Sequence, residues 1–161
     1  FVGRVDSNFA YAERFNAFSM KMASHSLPVR TEWVYEGYSH IEEAAAGVKK
    51  ILSRADRPTA LICSSDCVAI GALRAATSLG IAVPEELSII GFDDIDAASL
   101  VTPPLTTLHV PAAEIGRQSV RLLMIQACSP VGSQRIGCRV RLVPRLVIRG
   151  STGPAPAGDK S

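Results

Sequence analysis

The sequence predicts an α/β protein with a mostly parallel sheet, and three observations predict it. Short apolar, β-prone runs alternate with helical segments in the order β-α-β-α-β-α-β. Two of the runs, residues 60–63 and 87–92, lead directly into acidic residues, Asp66 after the first and Asp93 and Asp94 after the second. The joint between them carries turn chemistry, with Gly80 closing a helix and Pro84 following it. Such alternation implies right-handed crossovers within one sheet. Ligands of open α/β sheets bind at the carboxyl ends of strands, so two acidic clusters at neighbouring strand ends mark a pocket without naming a reaction.

Each element follows from its own residues. Residues 1–5 are a short apolar strand, and Asp6, Ser7 and Asn8 supply turn and N-cap chemistry. Phe15, Phe18, Met22 and Ala23 make a helical stripe within residues 10–26, which Leu27-Pro28 ends. Trp33, Val34 and Tyr35 predict a strand over 31–36, broken by Gly37. Ile41, Ala44, Ala45, Val48 and Leu52 predict a helix over 39–52, with Ser39 as cap and Glu42 three residues on. A strand at 59–63, a helix at 66–79 and a strand at 87–92 come next, and a loop runs from 93 to 104. Residues 105–110 read as a strand, and Pro111 suits the first turn of a helix reaching residue 128. Residues 136–143 and 145–149 are β-prone and interrupted by Pro144. From Gly150 the composition is that of a disordered tail.

Composition narrows the function classes. The chain has 161 residues, 47% of them hydrophobic and 20% charged, with a net charge of +2. That length allows a real core, and the charge is too small to imply nucleic acid or a membrane surface by itself. No apolar run approaches the eighteen or so residues a membrane helix needs. Phe1 is not an initiator methionine and no signal-peptide pattern follows it, so the sequence reads as a piece of a longer protein. The cysteines (Cys63, Cys67, Cys128 and Cys138) lack C-x-x-C spacing, and no His near Cys63 and Cys67 completes a zinc site. They read as reduced, unpaired thiols, with no cofactor or metal implied. No nucleophile motif or phosphate loop accompanies His25, His40 or His109. The five arginines within residues 135–149 could suggest nucleic acid, but Arg139 and Arg141 alternate with apolar neighbours, as on a solvated strand face.

One stretch is more specific. The words Ser88-Ile89-Ile90-Gly91-Phe92-Asp93-Asp94 and Thr102-Pro103-Pro104-Leu105-Thr106-Thr107, in that order, resemble the lactose-repressor/galactose-repressor (LacI/GalR) family of bacterial transcription regulators. The resemblance covers residues 1–152. It implies a periplasmic-binding-protein-like (type I) architecture of two α/β lobes with the ligand between them. Residues 1–110 would then be the carboxyl-terminal lobe, and 111–143 a returning helix and strand of an incomplete second lobe. Residues 144–149 would be the final strand of the first lobe, and 150–161 the tail. It further implies a small-molecule effector, operator DNA bound through an amino-terminal domain outside this sequence, a homodimer, a cytoplasmic location and no enzymatic role.

The resemblance also points to residues. Arg14, on the first helix, is similar to a family arginine whose guanidinium forks onto ligand hydroxyls or carboxylates; Ala17 stands where the family usually has Gly. Without the resemblance Arg14 reads as a surface partner of acids such as Glu13. Asp93 corresponds to an aspartate that accepts bonds from ligand hydroxyls, whereas Asp94 reads as a loop cap. Asp66 is either an acid at a helix start or a pocket wall. Ser65 falls where many relatives have Asn, Tyr38 where relatives place an aromatic, and Val110 where they have Gln. Tyr38 faces either the ligand or the core. Ile70, Arg74, Leu100 and Val101 match dimer contacts in relatives, and core packing is the alternative for Leu100 and Val101. Two other classes stay open: a solute-binding receptor of a sugar transporter, and a small α/β enzyme.

Overall fold

The computed structural model describes residues 1–3, 9–37, 40–128 and 137–156. Five helices are present among them: α1 (Phe9–Ser24), α2 (Ile41–Leu52), α3 (Asp66–Ser78), α4 (Asp96–Leu100) and α5 (Ala112–Ala127). Four short strands accompany them: β1 (Ala60–Ile62), β2 (Ser88–Ile90), β3 (Thr107–His109) and β4 (Arg145–Val147). β1 and β2 pair in parallel with Leu61 opposite Ile89. Single parallel bridges join Val2 to both Tyr35 and Cys63, and Ile90 to Thr106. The order across the sheet is therefore Tyr35, Val2, β1, β2, β3, β4. Only β4 is antiparallel, with Leu146 opposite Leu108. This is the mostly parallel α/β sheet that the alternating pattern predicts.

The core lies between β1, β2 and the helix pair α2 and α3. Leu61, Leu87, Ile89 and Leu105 are fully buried there, each such side chain contributing about 1.5–3 kcal/mol. α2 turns Ala44, Val48, Ile51 and Leu52 inward, and α3 adds Val68, Ala69, Ala72, Leu73 and Ala76. α3 ends where Gly80 takes a left-handed φ of +69°. There the amides of Gly80 and Ile81 donate to the carbonyls of Thr77 and Ala76, closing the helix in a Schellman motif. On the other face of the sheet Phe1 stacks against Phe15 and Phe18 of α1, ring centroids 5.3 and 5.9 Å away.

Four local expectations are corrected. Residues 31–36 are not a strand: Thr31–Trp33 is a single 3-10 turn, and only Tyr35 reaches a strand partner. Trp33 instead packs against the Arg30 guanidinium, 4.6 Å from its ring centroid, a local contact across the turn that the Trp33 amide closes onto the Arg30 carbonyl. The loop 93–104 contains α4. Residues 137–143 form no strand, because among the described residues no strand runs beside them; Val140 and Leu142 face Ile115 and Leu122 of α5. Finally, the chain just after Gly150 is part of the fold. Ser151 is fully buried, and its hydroxyl donates to the Ile89 carbonyl at 2.6 Å and accepts from the Thr106 amide at 2.8 Å. Thr152 bonds Thr106 at 2.9 Å. These bonds satisfy backbone groups that burial would otherwise penalise, which a polar composition does not reveal. Ser39, the expected cap of α2, lies outside the described residues, and the helix begins after His40 without a side-chain cap.

Candidate functional site

The carboxyl ends of β1, β2 and β3 lie side by side, and the polar residues after them form one cluster. Arg14 comes to it from α1. Its guanidinium donates to the Ser64 carbonyl at 2.5 Å and sits 3.6 Å over the Phe92 ring, with the Tyr11 ring 5.2 Å away. A planar cation on an aromatic face is held in direction as well as place.

Asp93 leaves β2 beside this arginine. Burial pushes its carboxyl pKa up, the Arg14 charge pulls against that rise, and Asp66 adds to it. Its backbone has φ 120° and that of Asp94 has φ 62°, conformations that residues with a Cβ rarely adopt. The Asp93 amide donates to the Leu108 carbonyl at 2.9 Å, which ties this step to β3. The cavity that Asp93 lines has a volume of about 610 Å³ and is shared with Ile95, His109, Glu114 and Arg117, so it bridges the loop after β2 and the start of α5.

Asp94 is engaged inside the fold by two side chains distant in sequence. Arg149 donates to one of its oxygens at 2.6 Å, and His109 Nδ1 lies 2.9 Å from the other. The Arg149 bond, with His109 in support, holds the Asp94 carboxyl pKa below the usual range.

Ser65 and Asp66 lie beneath the cluster rather than on its surface. The Ser65 hydroxyl caps α3 by accepting from the Val68 amide at 3.4 Å, and the residue is 6% exposed. Asp66 is fully buried. One oxygen accepts from Thr107 Oγ1 at 2.5 Å and the other from the Ile95 amide at 2.9 Å. Of its two sequence-based roles the acid at a helix start stands, since Asp66 lies in the first turn of α3; Ser65 is the cap proper, and the Asp66 side chain is a buried tie between β1, β3 and the loop after β2. Gly91 makes room for it, because a Cβ there would strike Asp66 Oδ1. Tyr38 lies outside the described residues.

Sequence reasoning missed Phe92 as the platform for Arg14 and Thr107 as the partner of Asp66. Both stand inside the words that carry the resemblance, but their partners are 78 and 41 positions away, and no local pattern encodes such pairings. Arg149 was read as one of a charged series, not as the partner of Asp94.

The remaining features lie elsewhere. Ile70 is 7% exposed and Leu100 80% exposed; Arg74 pairs with Glu42, and Val101 packs partly against the core. A cavity of about 380 Å³ is lined by Ile70, Leu73, Arg74 and Val101. A separate apolar cavity of about 460 Å³, lined by Phe1, Phe18, Met22 and Trp33, shares no residue with the polar cluster. The four cysteines are separate thiols, and burial pushes Cys63 up to about 12, leaving it protonated and inert. Among the described residues no group of three or more His, Cys, Asp or Glu could hold a metal ion, and no helix is long and apolar enough to cross a membrane.

Comparison with known proteins agrees with this geometry. A family model described as a periplasmic binding protein-like domain matches residues 1–152. The chain is 36% identical over 138 residues to the HTH-type transcriptional repressor PurR of Haemophilus influenzae (strain PittEE), covering 86% of this chain and 41% of that protein. It thus spans about two fifths of the length of the curated relatives it matches. Among solved structures it superposes on a regulatory protein of the LacI family from Chloroflexus aggregans with a TM-score of 0.82 and 29% identity, over 94% of this chain and 54% of that one. It also superposes on the transcriptional regulator CelR in complex with cellobiose, with a TM-score of 0.84 and 25% identity, over 93% of this chain and 45% of that one. The match over nearly its whole length, the parallel sheet and the residues gathered at its strand ends show that this chain belongs to the periplasmic binding protein-like domain family, in the form found in LacI/GalR-type regulators.

Proposed function

We propose that this chain is the effector-binding and dimerisation part of a transcriptional regulator, and that a polar small molecule bound at Arg14 and Asp93 controls operator binding by a DNA-binding domain outside this sequence. The observation that carries the reading is the convergence of Arg14 and Asp93 at neighbouring strand ends, one braced by Phe92 and Ser64, the other by β3. A guanidinium fork and a carboxylate together serve a ligand that both accepts and donates, such as a sugar or a related polar metabolite. The relatives named above are a repressor and regulators, which favours control of transcription over solute transport or catalysis. A cytoplasmic setting follows from that role.

On this reading residues 1–110 and 144–149 make one lobe, and α5 with the segment after it belongs to a second. The cavity between Asp93 and the start of α5 is where the lobes meet. Ligand shifts the regulator only if it binds the closed and open forms with different affinity. The exposed Leu100, next to the cavity lined by Ile70, Arg74 and Val101, supplies an apolar contact for a homodimer. Titration calorimetry of the full-length protein against a panel of mono- and disaccharides and nucleobases tests the assignment. The expected result is one binding class, weakened roughly 10- to 100-fold by Arg14→Ala or Asp93→Ala. Binding that both substitutions leave intact would remove the site from this cluster.

A further inference from the structure

The Asp93–Asp94 step is the most constrained backbone in the cluster, and the proposed ligand contacts do not account for it. Two consecutive non-glycine residues have φ of 120° and 62°. A strained pair of this kind persists only where its surroundings hold it. Here the holding groups are identifiable. The Asp93 amide and carbonyl are both engaged by β3 and the residue beyond it, to Leu108 at 2.9 Å and from Val110 at 3.4 Å. The Ile95 amide on the far side donates to buried Asp66 at 2.9 Å. Between these anchors the Asp94 carboxylate takes Arg149 at 2.6 Å and His109 at 2.9 Å. Arg149 is itself fixed, because its other nitrogen donates to the Leu105 carbonyl at 2.8 Å. The Asp94 side chain is 14% exposed and that of Arg149 is 21% exposed, so water screens the pair only in part.

We infer that Asp94 is a positioning residue: by clamping onto Arg149 and His109 it holds the left-handed step that aims the Asp93 carboxylate beside Arg14. The clamp has a second consequence. His109 ends β3, just before the chain passes into α5, and Arg149 follows β4, just after the chain returns. Asp94 therefore ties the ligand-facing aspartate to both connections with α5 and the segment after it. A change in spacing between those connections pulls on Asp93 through one carboxylate, and a ligand that pins Asp93 resists that change. This inference rests on the reading of Asp93 as an effector contact, but the clamp is made by the chain's own residues and is tested without a ligand.

The test is hydrogen–deuterium exchange of the full-length protein without ligand, comparing peptides over residues 92–97 with peptides over β1 and β2. Asp94→Ala removes the clamp and also tolerates positive φ poorly. Asp94→Asn keeps that tolerance and an acceptor oxygen, and Arg149→Met breaks the clamp from the other side. Positioning predicts exchange in 92–97 at least tenfold faster for Asp94→Ala and Arg149→Met, partial rescue in Asp94→Asn, and β1 and β2 at the original rate. Unchanged exchange in 92–97 overturns it. So does an equal acceleration of all three regions, which would make the clamp a contributor to global stability only. If Asp94→Ala does not fold, the contrast between Arg149→Met and Asp94→Asn decides the matter. Effector titration of the same variants is read separately: loss of binding in Asp93→Ala with a rigid step in Asp94→Ala would keep the site and reject the clamp.

Discussion

Three aspartates within one cluster serve three different ends because their surroundings differ. Asp66 is fully buried and accepts from Thr107 and the Ile95 amide. Asp66→Ala strands both donors, and at about 1–3 kcal/mol for each unsatisfied group it should cost roughly 2–6 kcal/mol in urea unfolding. A loss under about 1 kcal/mol would mean that water replaces the carboxylate. Asp93 and Asp94 are neighbours with opposite pH behaviour. The pKa of Asp94 is lowered in the folded state, so its contribution is full above the ordinary aspartate range and fades as pH falls through its folded value. The pKa of Asp93 is raised, so the folded state holds its proton longer than the unfolded chain does. Stability therefore declines as pH rises from the ordinary value through the raised one. Asp93→Asn should then stabilise the protein more at pH 7 than at pH 3.5, in thermal melts at both values; a gain independent of pH would contradict the burial of Asp93. Asp93 was legible from its place in the words that carry the resemblance, and Arg14 from its similarity to a family arginine on the first helix. The Phe92 platform and the Thr107 tie were not, because a contact across 78 or 41 positions exists only once the strands are side by side.

At the level of elements, periodicity was a good guide wherever one face packs on the core. α2 has a buried stripe on one side and charge on the other, and residues 41–52 show this in the sequence; α3 is buried over most of its surface, with Arg74 its one exposed charge. Prediction failed where a segment takes its conformation from a distant partner. Residues 31–36 have strand-forming side chains, yet only Tyr35 finds a ladder, on Val2. Ser151 and Thr152 look like a solvated tail and are instead bonded to Ile89 and Thr106. α5 shows the reverse case, a helix whose apolar residues are exposed. Val120, Leu123 and Met124 are 60%, 64% and 59% exposed, more apolar surface than a lone helix face normally leaves in water. The isolated 161-residue chain is expected to self-associate or bind a hydrophobic dye at tens of micromolar, and Leu123→Lys with Met124→Lys to reduce both. A dye-silent monomer in sedimentation velocity would show that this face is covered within the chain.

At the scale of the whole molecule, one sheet, one polar cluster and two chain connections are joined. The sheet places the ends of β1, β2 and β3 together, Arg14 and Asp93 face each other across them, and Asp94 links that pair to the segments leading into and out of α5. The resemblance and the parallel order of strands pointed to this arrangement, whereas the bonds of Asp94 to Arg149 and His109 became visible only with the fold. The most direct test of the central claim is effector titration of the full-length protein beside Arg14→Ala and Asp93→Ala, with operator binding followed in the same samples. The account predicts that a polar small molecule changes operator affinity in the unaltered protein and that either substitution abolishes the change while leaving unliganded DNA binding in place. An effector response that survives both substitutions would contradict it.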